Sequence, residues 1–333
     1  MKRVSVIVPA YREKPELLKN CIDSLMAQNY KNYKVLLVLD SACSAEIKKK
    51  AKELSKLGRL TVIQDRKRVS ASHRNIAVKR AWADSDYFAF TDADCVADEN
   101  WLRELVACIE KMPKKVGCVG GVNLSKETGF VGKAIECAES SFIGGGGVSG
   151  QTTIRKKIRY VNSIPNCNAI YRKECWVDNK QDEKFIKGQD AEFNLRLAKQ
   201  GWKFVQTPKA KIFHKKQDKL SDYAKRMYNY GKASANIIKK HGFYGLRRFW
   251  YGAGIAVFYS LLFILIVISI FFDILPIVVT FLALYLLAVV IAVLIIARKN
   301  TISSCFFSPI IVLIQHLSYA LGFLFSIVRT IHS

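Results

Sequence analysis

Two aspartates separated by one residue follow a strongly apolar run in the segment FAFTDADC. They are Asp92 and Asp94, and they stand where a buried strand would end. One interpretation is a turn or helix cap, because Asp often begins the loop after a strand. The other is a divalent-metal site, since two carboxylates at this spacing can share a hard cation that in turn neutralises a diphosphate. The elements around the pair must decide between the two.

Strand-like and helix-like runs alternate through the first third of the chain. The strand-like runs cover Val4–Tyr11, Tyr33–Asp40, Leu60–Asp65 and Tyr87–Cys95, and the helix-like runs cover Glu16–Gln28, Ser44–Leu57, Ser70–Trp82 and Glu99–Lys111. Apolar strands that are each followed by a helix of about 10 to 15 residues indicate a parallel sheet covered on both faces. The sequence therefore predicts an α/β, doubly wound domain.

Polar side chains stand at all four predicted strand ends. Tyr11, Asp40, Asp65 and the pair Asp92 and Asp94 would meet at one edge of the sheet, and in open parallel sheets ligands bind outside the carboxyl ends of the strands. Solvation alone does not account for a cluster of acids at one edge of a protein with a net charge of +25. This arrangement favours the metal site over the turn.

The C-terminal tail differs sharply from the rest. Of 52 basic and 27 acidic side chains, only three basic residues and one acidic residue follow Arg248. Three stretches there contain no Asp, Glu, Lys or Arg, and each exceeds the roughly 20 residues that cross a bilayer: Phe249–Phe272, Ile274–Ala297 and Asn300–Val328. We predict a membrane region of two to three helices at 249–333, at about 252–272, 275–297 and 305–328, and a basic amphipathic interfacial segment at 218–248. The third run contains Pro309, Gln315 and His316; it would re-enter the membrane, lie at its interface or, as we expect, span it.

Charged residues next to the apolar runs predict the orientation. Arg247 and Arg248 precede the first run, and Arg298 and Lys299 separate the second from the third. The positive-inside rule then places the N-terminal domain in the cytoplasm of a multi-pass membrane protein. The apolar run after the first methionine is too short for a signal peptide. We expect the nine cysteines, which form no C-x-x-C pair, to be reduced, packed thiols on this side of the membrane.

A glycine-rich segment, Gly145–Gly150, matches the G-x-G-x-x-G spacing. It follows a helical pattern instead of a strand, and Ile170 stands where a dinucleotide site needs an acid. We interpret this segment as a flexible lid.

Five blocks in the first two-thirds of the chain resemble, in order and spacing, the family 2 glycosyltransferases with the GT-A fold. They are VSVIVPAYREKPELLKNCIDSLMAQNY, VLLVLDSAC, SHRNIAVKRA, FTDADC and QDAEFNLRL. The resemblance covers about residues 1–217, which we take as a glycosyltransferase domain. It implies transfer of a sugar from a UDP- or GDP-linked donor, with inversion at the anomeric carbon and with Mn²⁺ or Mg²⁺ as cofactor.

The resemblance also implies a role for individual residues. The nucleoside pocket would be lined by Ala10, Tyr11, Arg12 and Glu13, with Asp40 and Asp65 on the base or ribose and Arg74 on the phosphates. Asp92 would lie near the ribose and the cation, and Asp94 would be the main metal ligand. His214 would offer an imidazole to the metal or diphosphate, the alternative being a packed or surface residue.

The block QDAEFNLRL carries the candidate base. The family usually has Glu-Asp before this late helix, and here the pair is Gln189 and Asp190. The resemblance makes Asp190 the base that deprotonates the acceptor hydroxyl, and a helix N-terminus lowers the pKa of a carboxyl group, which keeps it ionised. The alternative is a plain helix cap.

Basic residues near residue 217 have two interpretations. Lys215, Lys216, Arg226 and the cluster at 155–159 would hold a phosphate, or they form a solvated face near anionic lipid. The Q-x-x-R-W block of processive synthases is missing here, since YAKRMYNYG keeps only Arg226. This argues for transfer of a single sugar.

Three functions stay open at this point. The first is a single-sugar transferase acting on a lipid-linked or cell-surface glycan, and within it a polyprenyl-phosphate sugar synthase. The second is a nucleotidyltransferase, which would need a Gly-rich basic loop where this chain has PAYREKPE. The third is a basic membrane protein without catalysis that binds anionic lipid or nucleic acid. Charge alone does not explain the acids at the strand ends, so we favour the first function. For that function we expect no nucleic acid partner.

Overall fold

The computed structural model describes residues 1–67, 69–125, 129–141, 143–144, 157–214, 219–297 and 303–331. The chain divides into two units. The first contains Met1–Lys126 and Ile154–Lys215, and the second contains Glu127–Thr153 and Lys216–Ser333. The second unit thus includes the segment 127–153, which the sequence-based boundaries assign to the domain at 1–217. The predicted glycine-rich lid lies outside the described residues.

The described residues form nine strands and ten α-helices. The strands are β1 (Val4–Ala10), β2 (Tyr33–Asp40), β3 (Leu60–Asp65), β4 (Tyr87–Phe90), β5 (Cys95–Ala97), β6 (Val116–Ser125), β7 (Arg159–Val161), β8 (Ala169–Arg172) and β9 (Lys203–His214). The helices are α1 (Pro15–Met26), α2 (Ala45–Leu54), α3 (Ser70–Ala81), α4 (Trp101–Lys111), α5 (Phe130–Ser140), α6 (Gln189–Lys199), α7 (Leu220–His241), α8 (Phe243–Ile268), α9 (Leu275–Ala297) and α10 (Ser308–Ile331).

All nine strands belong to one mixed sheet in the first unit. Its order is β3-β2-β1-β4-β8-β6-β9-β5, with β7 paired on β9. Parallel pairs join β1 to β2 and β4, β2 to β3, and β6 to β9, whereas β5, β7 and β8 run antiparallel to their neighbours. Six of the nine strands therefore run in the same direction, which confirms the prediction of a mostly parallel α/β sheet.

Helices cover both faces of this sheet. Successive residues of β1 point to opposite sides, so Val6 packs in a core cluster with residues of α1, α2 and α4, and Ile7 packs in another with residues of α3 and α6. α2 begins where the sequence predicts a helix, at Ser44. The hydroxyl of this N-cap residue accepts a hydrogen bond from the Ile47 N–H at 3.3 Å. The doubly wound arrangement brings the ends of β1 to β4 to one edge.

The second unit is helical and strongly apolar. Three of its segments are long and apolar enough to cross a membrane: Phe243–Ile268, Leu275–Ala292 and Cys305–Arg329. The first begins about nine residues before the predicted 252, because the helix already includes the two arginines ahead of the apolar run. The dihedral angles of Phe249 (φ −110°, ψ 23°) leave the helical region at this junction.

One helix of the second unit is indicated in the sequence only by the helical pattern that precedes the glycine-rich segment. α5 packs in a core cluster with residues of α7, α9 and α10, and the Ser308 hydroxyl donates a hydrogen bond to the Ala134 carbonyl at 2.9 Å.

Cys137 of α5 and Cys305 form a disulfide. The expectation of nine free thiols is therefore wrong for this pair, because packing of α5 brings together two residues 168 positions apart; the other seven cysteines are free.

Glycines allow α7 and α10 to cross at close range. A Cβ atom at Gly231 of α7 would overlap the Tyr319 carbonyl oxygen, and one at Gly322 of α10 would overlap the Tyr228 carbonyl oxygen. Small residues at such crossings let helix backbones approach each other within an apolar environment. The two glycines are thus reciprocal parts of one contact within the second unit.

We expect Gly322→Ala to destabilise the second unit by about 1–3 kcal/mol, the usual result of overpacking. Thermal unfolding of the detergent-solubilised protein, followed by circular dichroism, measures the change. Gly254→Ala in α8 is the matched control, since its added Cβ meets no atom within 4 Å and alanine favours a helix. An unchanged unfolding temperature for Gly322→Ala would contradict the close crossing.

Candidate active site

The D-x-D pair lies in a tight turn between β4 and β5. The Cys95 N–H donates to the Asp92 carbonyl oxygen at 3.1 Å, and β5 then pairs antiparallel with the end of β9, so that Cys95 faces His214. This pairing brings the imidazole of His214 to Asp94, with Nε2 and Oδ2 3.1 Å apart. The D-x-D turn and the end of β9 thereby meet at one point of the sheet.

The pair Asp94 and His214 keeps a negative charge at the site. Burial acts to raise the pKa of Asp94, but the hydrogen bond and the charge of His214 outweigh it, and the pKa of Asp94 lies below its ordinary value. Both side chains remain partly open, with 33% and 37% exposure. They are therefore accessible to a ligand from solvent.

Arg74 of α3 holds the other aspartate of the pair. Its Nη2 lies 3.1 Å from Asp92 Oδ1, and Arg74 is almost fully buried whereas the Asp92 side chain keeps 38% exposure. Desolvation raises the pKa of Asp92 above its ordinary value, the charge of Arg74 works against this, and Asp94 adds to it. One guanidinium therefore does not offset the negative charge at this point.

Two further carboxylates complete the cluster. Glu13 follows β1, where its Oε2 accepts the Tyr11 N–H at 2.6 Å, and burial followed by the charges of Asp94 and Asp92 raises its pKa. Asp190 stands in the first turn of α6, which begins after Gly188 in the left-handed region (φ 76°), and its charge also raises the pKa of Asp92. Four carboxylates thus lie close to one another.

The chemistry of this cluster fits a divalent cation. One donor atom each from Asp94, Cys95 and His214 lies within 4.8 Å of the others, and these three come from a strand end and its antiparallel partner. Crowded carboxylates with few counter-charges are stabilised when a cation joins them. Asp94 and His214 would hold the ion, with Asp92 close by, which is the set that the resemblance implies.

The residues implied for the nucleoside lie in a separate, buried cluster. Asp40 and Asp65 are paired in register at the ends of β2 and β3, and His73 Nε2 lies 3.5 Å and 3.8 Å from their Oδ2 atoms. Their side chains and that of His73 are at most 5% exposed. A nucleoside would reach them only after local opening.

Sequence reasoning missed His73. It immediately precedes Arg74 in the block SHRNIAVKRA, and its Nε2 also lies 3.0 Å from the Lys67 carbonyl oxygen. Since the first turn of α3 lies at the ends of β2 and β3, the position of this block after β3 was the only available signal.

The other implied residues lie at the end of β1 or outside the site. Ala10 is buried, Tyr11 is half-buried and Arg12 is exposed, with the Arg12 guanidinium 4.8 Å from the centre of the Tyr11 ring. Arg226 belongs to the second unit, where its Nη2 lies 2.7 Å from Glu139 Oε1. Lys215, Lys216 and residues 155 and 156 lie outside the described residues.

The fold and this site together define the class of protein. A mixed sheet of this order, wound on both faces and with an acidic pair after β4, has the GT-A architecture. The family model for Glycosyl transferase family 2 matches residues 5–176, which is more than half of the 333 residues. The chain belongs to this family and is a glycosyltransferase with a C-terminal helical region apolar enough to anchor it in a membrane.

Individual relatives agree with this assignment. The chain is 24% identical over 262 residues to the dolichyl N-acetyl-alpha-D-glucosaminyl phosphate 3-beta-D-2,3-diacetamido-2,3-dideoxy-beta-D-glucuronosyltransferase of Methanococcus voltae, covering 76% of this chain and 79% of that protein. It is 27% identical over 218 residues to the amylovoran biosynthesis glycosyltransferase AmsB of Erwinia amylovora, covering 60% of this chain and 65% of that protein.

A solved structure shares the fold. The mannosyltransferase PcManGT from Pyrobaculum calidifontis, in complex with GDP-Man and Mn²⁺, superposes with a TM-score of 0.64 at 15% identity, covering 97% of this chain and 87% of that chain. The predicted GT-A class is confirmed.

Burial of Glu13, to which the charges of Asp94 and Asp92 add, predicts that Glu13→Gln stabilises the cation-free protein. At pH 8 in EDTA, the first unit should unfold at a higher temperature in this variant, because ionised Glu13 is unfavourable in the fold. As the pH falls through the raised pKa of Glu13 towards its ordinary 4.5, wild-type Glu13 takes up a proton in the folded state first, so the difference should shrink.

Tryptophan fluorescence reports on this transition, since four of the five tryptophans lie in the first unit. Glu53→Gln is the control, because exposed Glu53 pairs with Lys50 and its pKa is lowered instead. If Glu13→Gln destabilised the protein at pH 8, ionised Glu13 would not be unfavourable in the fold.

Proposed function

We propose that this protein transfers one sugar, with inversion and with a divalent cation, from a nucleoside-diphosphate sugar to a lipid-linked or cell-surface glycan at the cytoplasmic membrane face. The observation that carries the proposal is the D-x-D turn itself, where Asp94 pairs with His214 at 3.1 Å and Asp92 with Arg74 at 3.1 Å, with Asp190 near enough for its charge to act on Asp92. An inverting displacement needs a carboxylate beside the acceptor and positive charge beside the leaving group, and both kinds of group meet here.

Arg74 and the residues that would hold the cation form the part of the site that binds the nucleotide-sugar donor. Asp94 and His214, with Asp92 nearby, would hold Mn²⁺ or Mg²⁺. When bound, the cation neutralises charge that develops on the departing diphosphate. Arg74 is buried and already beside Asp92, so its guanidinium is available for the same negative charge. The nucleoside would lie towards Tyr11, Arg12 and the ends of β2 and β3.

Asp190 supplies the acceptor side. The carboxylate takes the proton of an acceptor hydroxyl, the hydroxyl oxygen forms a bond to the anomeric carbon, and the bond from that carbon to the diphosphate oxygen breaks on the opposite face. Asp190 lies in the first turn of α6, where the Ala191 N–H donates to its Oδ1 at 2.8 Å.

An acceptor hydroxyl fits a base better than an acceptor phosphate does. A polyprenyl phosphate is already ionised and needs no base, so Asp190 favours a sugar hydroxyl over the polyprenyl-phosphate synthase reaction. The name of the Methanococcus voltae relative describes transfer to a dolichyl-phosphate-linked sugar, which supports a lipid-linked glycan as acceptor. The three helices that are long and apolar enough to cross a membrane would tether the chain to the membrane that contains such an acceptor.

The donor can be identified by offering a panel of nucleotide sugars to membranes that contain the protein, with Mn²⁺, with Mg²⁺ and with EDTA. UDP- and GDP-linked sugars both belong in the panel, the latter because PcManGT was solved with GDP-Man and Mn²⁺. We expect release of nucleoside diphosphate only with a cation, and an extracted product whose anomeric configuration is opposite to that of the donor.

Two substitutions separate the roles of the acids. Asp190→Asn should lower turnover by roughly 10²- to 10⁴-fold, the usual contribution of a general base, without weakening donor binding measured by calorimetry. Asp94→Asn should abolish turnover and also weaken donor binding. Asp84→Asn is the control, since Asp84 is exposed and pairs with Lys34. Turnover retained by Asp190→Asn on a hydroxyl acceptor would refute its role, and a retained anomeric configuration would refute inversion.

A further inference from the structure

A thiol lies beside the proposed cation site. Cys95 is the first residue of β5 and the direct antiparallel partner of His214, and it follows Asp94 in the chain. Its Sγ lies 3.9 Å from Asp94 Oδ1, and it belongs to the same group of donor atoms, all within 4.8 Å of one another. Three different ligand chemistries, a carboxylate, an imidazole and a thiol, therefore converge.

We propose that Cys95 Sγ is a third protein ligand of the cation site and that it makes this site select a transition-metal ion over Mg²⁺. The inference rests on the proposed function, which supplies the cation. Carboxylate and water are the ligands that Mg²⁺ prefers, whereas imidazole and thiolate favour ions further along the first transition row. A site with one donor of each kind is expected to discriminate against Mg²⁺.

Ligation changes the protonation of the thiol. Ligation would break the S–H bond of Cys95 and form a sulfur–metal bond, and the proton would leave to solvent. The neighbouring charge of the cation makes this loss possible, as it does in other thiolate sites.

Two other thiols near the carboxylates provide matched controls. Cys21 donates to the Asp92 carbonyl oxygen at 3.5 Å, and Cys167 accepts the Asn123 side-chain N–H at 3.3 Å. Both belong to the core around the D-x-D turn, and neither is in the group formed by Asp94, Cys95 and His214. Any general effect of removing a thiol from this region should appear in them as well.

Titration of the detergent-solubilised full chain with Co²⁺ tests the proposal directly. Thiolate ligation produces a near-ultraviolet charge-transfer band, and the weaker visible bands report Co²⁺ binding of any kind. We expect the charge-transfer band in the wild type, in Cys21→Ser and in Cys167→Ser, and its loss in Cys95→Ser and Cys95→Ala. The Kd for Co²⁺ should rise by roughly tenfold or more in the Cys95 variants, at least as much as the loss of an outer-shell partner costs, and the preference for Mn²⁺ over Mg²⁺ should shrink.

The possible outcomes distinguish a failure of this inference from a failure of the proposed function on which it rests. Visible bands without a charge-transfer band in the wild type would overturn ligation by Cys95 and leave the cation site intact. A charge-transfer band that persists in both Cys95 variants would also overturn it. Absence of all Co²⁺ bands, with or without nucleoside diphosphate, would count against the cation site itself. The wild-type spectrum alone can overturn the proposal, so the test remains decisive even if a Cys95 variant fails to fold.

Discussion

Burial of several carboxylates at one edge of the sheet is the constraint on which the site depends. Four acids from different parts of the chain interact there, and among the described residues Arg74 and the imidazole of His214 pair with two of them. The acids are Glu13, Asp92, Asp94 and Asp190. Desolvation raises the pKa of Glu13 and of Asp92 above their ordinary values, so a positive charge at this edge would favour the ionised forms of both. A divalent cation that binds together with the diphosphate of the donor would supply this positive charge.

The fold creates this situation through strand order. The parallel strands β1 and β4 end side by side, which places Glu13 beside the D-x-D pair, and α3 starts at the same edge with Arg74. The antiparallel pairing of β5 with β9 then adds His214, and α6 begins with Asp190. The aspartates and His214 keep about a third of their surface, whereas Asp40, Asp65 and His73 do not. The structure thus separates an accessible, charged centre from a buried cluster at the outer strands.

The first four strands, their helices and the acidic site at their ends were predictable from the sequence, because they depend on local patterns of apolar and polar residues. Apolar runs that are each followed by a helix-like run define β1 to β4 and their helices, and in parallel strands the ends necessarily share an edge. The presence of acids at those ends therefore predicts a site without knowledge of tertiary contacts. The apolar tail is equally plain, since bilayer thickness sets the length of a spanning helix.

What escaped prediction depends on contacts between distant residues. The opposition of Cys95 and His214 is set by the register of two strands more than a hundred residues apart, and neither residue reveals it alone. α5 is short and lacks a strong start signal, with Gly129 as its cap and no side-chain cap hydrogen bond. Its place in the second unit, and hence the pairing of Cys137 with Cys305, follows from packing against helices that the chain reaches much later.

The most direct test of the central claim is a titration of the protein with Mn²⁺ in the presence of nucleoside diphosphate, followed by electron paramagnetic resonance. If crowded carboxylates require a cation, the wild type should bind Mn²⁺ at a single saturable site, and Asp94→Asn should bind it far more weakly than Asp84→Asn does. Equal Mn²⁺ binding by the two variants would contradict the account.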